Sequence, residues 1–132
     1  MLPLGLNAVA QNHFNEDSLK AVVRGNKEDT STYNALIRLA IYYDSIDYRQ
    51  SVQYAQEALS IAKKIGDQKR EAYSLVIIGT SEVDYIRSVQ AISDALIIYE
   101  SLKDSTWICI VKLPLQANYR KPEILEMHCF RV

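Results

Sequence analysis

Residues 47–61 read DYRQSVQYAQEALSI, and residues 84–98 read DYIRSVQAISDALII. Superimposed at an offset of 37, the two stretches share eight of fifteen positions: Asp47/Asp84, Tyr48/Tyr85, Ser51/Ser88, Val52/Val89, Gln53/Gln90, Ala58/Ala95, Leu59/Leu96 and Ile61/Ile98. Recurrence at a fixed period of about 20–50 residues marks stacked supersecondary units, none of which can bury its apolar face alone. Each copy opens on an Asp able to accept hydrogen bonds from the free amides of a first helical turn. The expectation is an all-α chain of antiparallel helix pairs, an interaction scaffold rather than an enzyme.

Working outward from the first copy, Asp47 caps a helix B over 48–65 that buries Val52, Ala55, Ala58, Leu59 and Ala62. Lys63 and Lys64 suit its negative C-terminal end, and Gly66 stops it. Upstream, Leu36, Leu39, Ala40 and Tyr43 fall at i, i+3, i+4 and i+7, a helical face. This predicts helix A over 31–46, capped by Thr30 or Ser31 and closed by Ile46. The first unit thus covers about 31–66. In the second, about 67–103, helix A spans 68–82 with Ala72, Leu75, Ile78 and Gly79 inward. Asp84 caps helix B over 85–102, with Val89, Ile92, Ala95, Leu96 and Tyr99 inward. Ala40 precedes Asp47 by seven residues and Gly79 precedes Asp84 by five. The second helix A is therefore half a turn shorter, or its turn is tighter.

Beyond these units the pattern thins. DSLKAVVRG, 17–25, reads as a short helix started by Asp17, striped by Leu19, Val22 and Val23, and ended by Gly25; 26–30 is a polar linker. Residues 104–119 resemble the start of a third pair, since Leu115 lies 37 after Ile78. Pro114 interrupts it, lacking an amide hydrogen and clashing with the preceding turn at about 3 kcal/mol. A kinked helix to Leu113 and a loosely held tail to Val132 are expected. At the other end, Ala8-Val9-Ala10 before Gln11 fits an export-signal cleavage pattern, although a basic start is missing. Two readings of 1–11 stand: a signal remnant, implying an exported or periplasmic chain, or a disordered N-terminus, which leaves a cytoplasmic one.

At 132 residues the chain is one domain by size. Fifteen Lys and Arg against sixteen Asp and Glu, interspersed, give a net charge of −1 and no basic stripe. That argues against nucleic acid as a partner. The central apolar run Leu75-Val76-Ile77-Ile78 is far short of the roughly 20 residues of a spanning helix, so no transmembrane segment is expected. Cys109 and Cys129 make neither a disulfide framework nor a four-ligand zinc site. His13 reads as solvated, and His128-Cys129 with Glu126 lacks further converging ligands. Cys109 reads as a small buried hydrophobe. No phosphate loop, HExxH or GxSxG motif occurs. No catalytic residue, cofactor or metal is expected. Of nine tyrosines, Tyr43, Tyr48, Tyr85 and Tyr99 fall at packing positions of the repeat.

These residues resemble the tetratricopeptide repeat, whose helix A carries Leu, a small residue and Tyr, and whose helix B opens near Asp-Tyr and carries an Ala-Leu pair. Leu39-Ala40, Tyr43 and Ala58-Leu59 match in the first unit; Ile78-Gly79 and Ala95-Leu96 match in the second. The period is 37 to 39 instead of 34, Leu36 and Leu75 replace the early Trp, Glu82 replaces the second Tyr, and the terminal Pro is absent. The resemblance covers about 17–105. It implies a short right-handed solenoid that binds a protein or peptide along its inner surface, placing Asn34, Ile37, Arg38, Ile41, Tyr73, Val76 and Thr80 toward the groove. The stretch from Asp17 to Tyr43 followed by an Asp-Tyr helix also resembles sensor regions of bacterial histidine kinases and related regulators, which implies a piece of a larger signal-transduction protein. The alternative is a structural module that self-associates through an open solenoid end.

Overall fold

The computed structural model describes residues 15–117, which form six α-helices and, among the described residues, no strand: α1 (Glu16–Arg24), α2 (Thr30–Tyr43), α3 (Tyr48–Ile65), α4 (Gln68–Ser81), α5 (Tyr85–Ser101) and α6 (Ser105–Ala117). The signal-like stretch 1–11, His13 and the tail with His128 and Cys129 lie outside the described residues.

One capping rule sets every helix start. Asp29, Asp47, Asp67, Asp84 and Asp104 accept from backbone amides of the turns they precede, Asp29 from Thr32 at 2.9 Å and Asp104 from Trp107 at 3.2 Å. Such caps satisfy amides that have no partner within the helix. Two expected starts are corrected. Asn15, accepting from Ser18 at 3.0 Å, caps α1, and Asp17 sits inside the first turn. Asp29, not Thr30 or Ser31, caps α2, because a carboxylate placed before the helix reaches the third amide.

The helix ends follow the same repetition. Gly66, at φ 81°, closes α3, and the Asp67 amide donates back to the Ala62 carbonyl at 3.1 Å. Thirty-seven residues later Lys103 takes φ 56°, and the Asp104 amide donates to Tyr99 at 3.1 Å. The two motifs are alike, but the second places a side chain in the left-handed region that glycine occupies freely. α2 ends at Tyr43, short of the expected Ile46, which is exposed. α2 and α4 are both 14 residues long, so the second unit is shortened in its turn and not in its first helix. α6 runs through Pro114 to Ala117, correcting the expected stop at Leu113. A proline ten residues into a thirteen-residue helix removes one hydrogen bond without ending it.

Each helix packs on the next in sequence, and α2 also touches α4. Ser51, early in α3, donates to the Ala40 carbonyl late in α2 at 2.7 Å, while Lys64 at the end of α3 pairs with Glu28 ahead of α2. These two helices therefore run antiparallel. Ser88 repeats the first contact, donating to the Gly79 carbonyl at 2.5 Å. The duplicated Ser thus ties each second helix to the small residue of the first. A Cβ on Gly79 would strike the Ile92 side chain and stand 3.1 Å from the Ser88 carbonyl oxygen, so this approach requires glycine. Ser81 Oγ lies 3.0 Å from Ser51 Oγ and donates to Asp44 at 2.6 Å, so polar contacts join the two turns.

The core is two joined clusters. Leu36, Ile37, Ala40, Ala55, Ala58, Ala62 and Ile78 lie in the first; Ala72, Ile92, Ala95, Tyr99 and Val111 form the second; Leu75 touches both. Most of the expected inward residues are there. Leu59, Leu75, Val89 and Leu96 are only half-buried, and Ile61, Ile77 and Ala91 take buried places beside them. Tyr43 and Tyr99 are buried as expected, but Tyr48 and Tyr85 are exposed, a correction: first-turn positions lie past the edge of the neighbouring helix. Cys109, expected buried, is half-buried.

Candidate functional site

The first helices of successive pairs, together with α6, frame an open hollow of about 420 Å³, lined by Tyr33, Asn34, Ile37, Asp67, Lys69, Arg70, Tyr73, Tyr99, Asp104 and Trp107. α2 supplies the first three, the start of α4 the next four, and the α5–α6 corner the rest. Its floor is aromatic. Trp107 stacks on Tyr99 at 5.2 Å and 7°, and meets Tyr73 edge to face at 5.5 Å and 75°. Both geometries satisfy the ring quadrupoles. Trp107 is positioned by Asp104, whose carboxylate caps its amide.

A second layer holds the wall opposite. The Tyr33 hydroxyl donates to the Arg70 carbonyl at 2.9 Å and accepts from Ser74 at 3.3 Å. The Arg70 guanidinium lies 5.6 Å from the Tyr33 ring centre and pairs with Asp67. Burial raises the Tyr33 hydroxyl above its ordinary pKa, and burial raises Tyr99 further. Both hydroxyls stay protonated at neutral pH. The Asp67 carboxyl is held low, first by the Arg70 amide and then by its guanidinium, against the effect of burial. Lys69, exposed, forms no ion pair among the described residues.

Of the seven groove residues expected, Asn34, Ile37 and Tyr73 line this hollow. Ile37 is 7% exposed and forms part of its base. Arg38 and Ile41 are exposed on α2 outside it. Thr80 is exposed on α4 and donates to the Ile77 carbonyl at 3.1 Å; Val76 packs against the second core cluster. The sequence reading did not place Tyr33, Asp67, Lys69, Arg70, Tyr99, Asp104 or Trp107 in the groove. Trp107 carried a signal, being the single Trp of the chain, 34 residues beyond Tyr73.

Among the described residues, no group of three or more His, Cys, Asp and Glu could hold a metal ion, no buried side-chain nitrogen or oxygen lacks a partner, and no helix is long and apolar enough to cross a membrane. No protein-family model, curated protein or solved structure is significantly similar to the chain.

Proposed function

We propose that the chain is a non-catalytic protein- or peptide-binding module, built as a short right-handed solenoid of two tetratricopeptide-type helix pairs, with the Tyr33–Tyr73–Trp107 hollow as its binding site. The carrying observation is the hollow itself: aromatic faces beside the Asn34 amide and Lys69, which forms no ion pair among the described residues, suit an extended peptide presenting an apolar or aromatic side chain. Aromatic side chains offer large contact area with few torsions to freeze. The duplicated Asp-Tyr, Ser and Ala-Leu positions, and the close approach at Ala40 and Gly79, support the repeat reading. Its resemblance to sensor regions extends the proposal to a regulatory piece of a larger bacterial signal-transduction protein.

Trp107 is the test, because one tryptophan reports on one place. Peptides carrying a central Phe, Tyr or Leu beside acidic, neutral or basic residues are titrated while its emission is followed. A saturable shift with some of them, lost in Tyr73→Ala and in Lys69→Glu, is expected. No saturable shift with any peptide, or one unchanged in both variants, rules the hollow out.

A further inference from the structure

The hollow of the proposed binding site carries two carboxylates and two cations, Asp67 and Asp104 against Lys69 and Arg70. It is neutral as a whole, but its charges are not all matched within the chain. Asp67 and Arg70 pair with each other across the first turn of α4. Lys69 and Asp104 form no ion pair among the described residues, either with each other or with another group.

The sequence explains both. A capping Asp can pair with a cation three residues on, where the helix brings the two side chains together. After Asp67 that place holds Arg70, and after Asp84 it holds Arg87. After Asp104 it holds Trp107, whose amide the carboxylate caps at 3.2 Å. A tryptophan in that place does two things at one corner: it stacks on Tyr99 as the floor of the hollow, and it leaves the Asp104 carboxylate without a neighbouring cation. Lys69 has Ile65, Gly66, Ala72 and Tyr73 three and four places away, none of them acidic. Asp104 is half-buried. A carboxylate partly withdrawn from water gains more from an incoming cation than one on open surface.

We infer that the ligand of this hollow is a bipolar peptide segment: one apolar or aromatic side chain lying against Trp107 and Tyr73, with an acidic residue on one side meeting Lys69 and a basic residue on the other meeting Asp104. Charge complementarity selects it. A segment of a single sign matches one of the two groups and repels the other, whereas a bipolar segment matches both and keeps the hollow neutral. The inference rests on the reading of the hollow as a peptide site. Lys69 on α4 and Asp104 at the α5–α6 corner belong to successive units, so the packing of those units sets where the two charges stand. Two such pairs together give about fivefold in affinity, and the gain shrinks as salt rises.

The test is the fluorescence anisotropy of dye-labelled, end-blocked peptides titrated with the full chain. The peptides carry Glu-Phe-Lys, the reverse order Lys-Phe-Glu, the singly charged Glu-Phe-Gln and Gln-Phe-Lys, and the uncharged Gln-Phe-Gln between glycines. The better of the two bipolar orders is expected to bind about fivefold tighter than the uncharged peptide at low salt. Lys69→Gln should remove the advantage given by Glu and keep that given by Lys. Asp104→Asn should do the reverse, since asparagine retains the cap of α6; circular dichroism checks that both variants keep their helicity. Equal binding of bipolar and uncharged peptides overturns the inference while leaving the peptide site standing. So does a singly charged peptide that matches the bipolar one, or an advantage that both variants retain. No binding by any peptide removes the site and the inference together. Free phenylalanine bound as tightly as the best peptide overturns the peptide form and assigns the hollow to a free amino acid, which carries the same two charges.

Discussion

Gly66 and Lys103 occupy the same place in successive units and take the same left-handed backbone, at φ 81° and 56°. Only the first is free of a Cβ. Lys103→Gly should therefore stabilise the protein by about 1 kcal/mol, and Gly66→Ala should destabilise it by a similar amount, read from urea midpoints at unchanged slope. Unchanged midpoints would mean that the corner relaxes freely. A second test at this scale concerns Ala95, fully buried where α5 meets its neighbours. Ala95→Leu adds three carbons to a filled site and should cost about 1–3 kcal/mol. A melting temperature equal to that of the parent would show slack packing there.

Among the elements, α1 is held differently from the rest. It buries no residue fully; Leu19 and Val23 are its half-buried apolar side chains, with Glu16 and Lys20 half-buried beside them. Its polar tether is Glu16, which accepts from the Tyr43 hydroxyl and pairs with Lys20 at 2.6 Å. Lys20 and then Tyr43 hold the Glu16 carboxyl below its ordinary pKa of 4.5. A carboxyl depressed in the fold contributes stability that is present above its unfolded pKa and lost as pH falls through the folded value. α1 should therefore stay docked at neutral pH and loosen below about pH 4. Asp29 and Asp67, lowered chiefly by the amides they cap, act in the same direction. The thermal midpoint should fall between pH 6 and pH 2.5. Glu16→Gln at pH 7 should speed hydrogen exchange in residues 19–24 while α3 and α4 stay protected. Uniform protection in that variant would show that apolar contacts alone hold α1.

At the scale of the whole molecule, stability rests on neighbour-to-neighbour packing, as expected of elements stacked in sequence. α6 is the last helix among the described residues: Val111 is fully buried and Trp107 covers Tyr99. A chain ending at Asp104 would uncover Ala72, Ile92, Ala95 and Tyr99. It should melt lower, lose helicity in α5 first and bind a hydrophobic dye. Unchanged melting would mean that α6 contributes little to the second cluster.

The sequence by itself determined the helices and their pairing. The 37-residue recurrence, the Asp before each second helix and the i, i+3, i+4 stripes are local signals, and the helices follow them. Asp29 was legible too, lying 38 residues before Asp67, but Thr30 and Ser31 are equally plausible caps in isolation. Only the tertiary structure decided which members of each stripe are fully buried, because a helix flanked by two neighbours buries a broader arc than one face predicts. Ile61 and Ile77 are inward for that reason, while Tyr48 and Tyr85 lie beyond the neighbour's reach. The same holds for the candidate site. Asn34, Ile37 and Tyr73 could be placed from helix position, but Trp107 meets Tyr73 through the path of the α5–α6 corner. That path depends on a left-handed Lys103, which the sequence pattern does not announce as a glycine would. Pro114 marks the same boundary: local chemistry reads it as a stop, whereas α6 is helical on both sides of it.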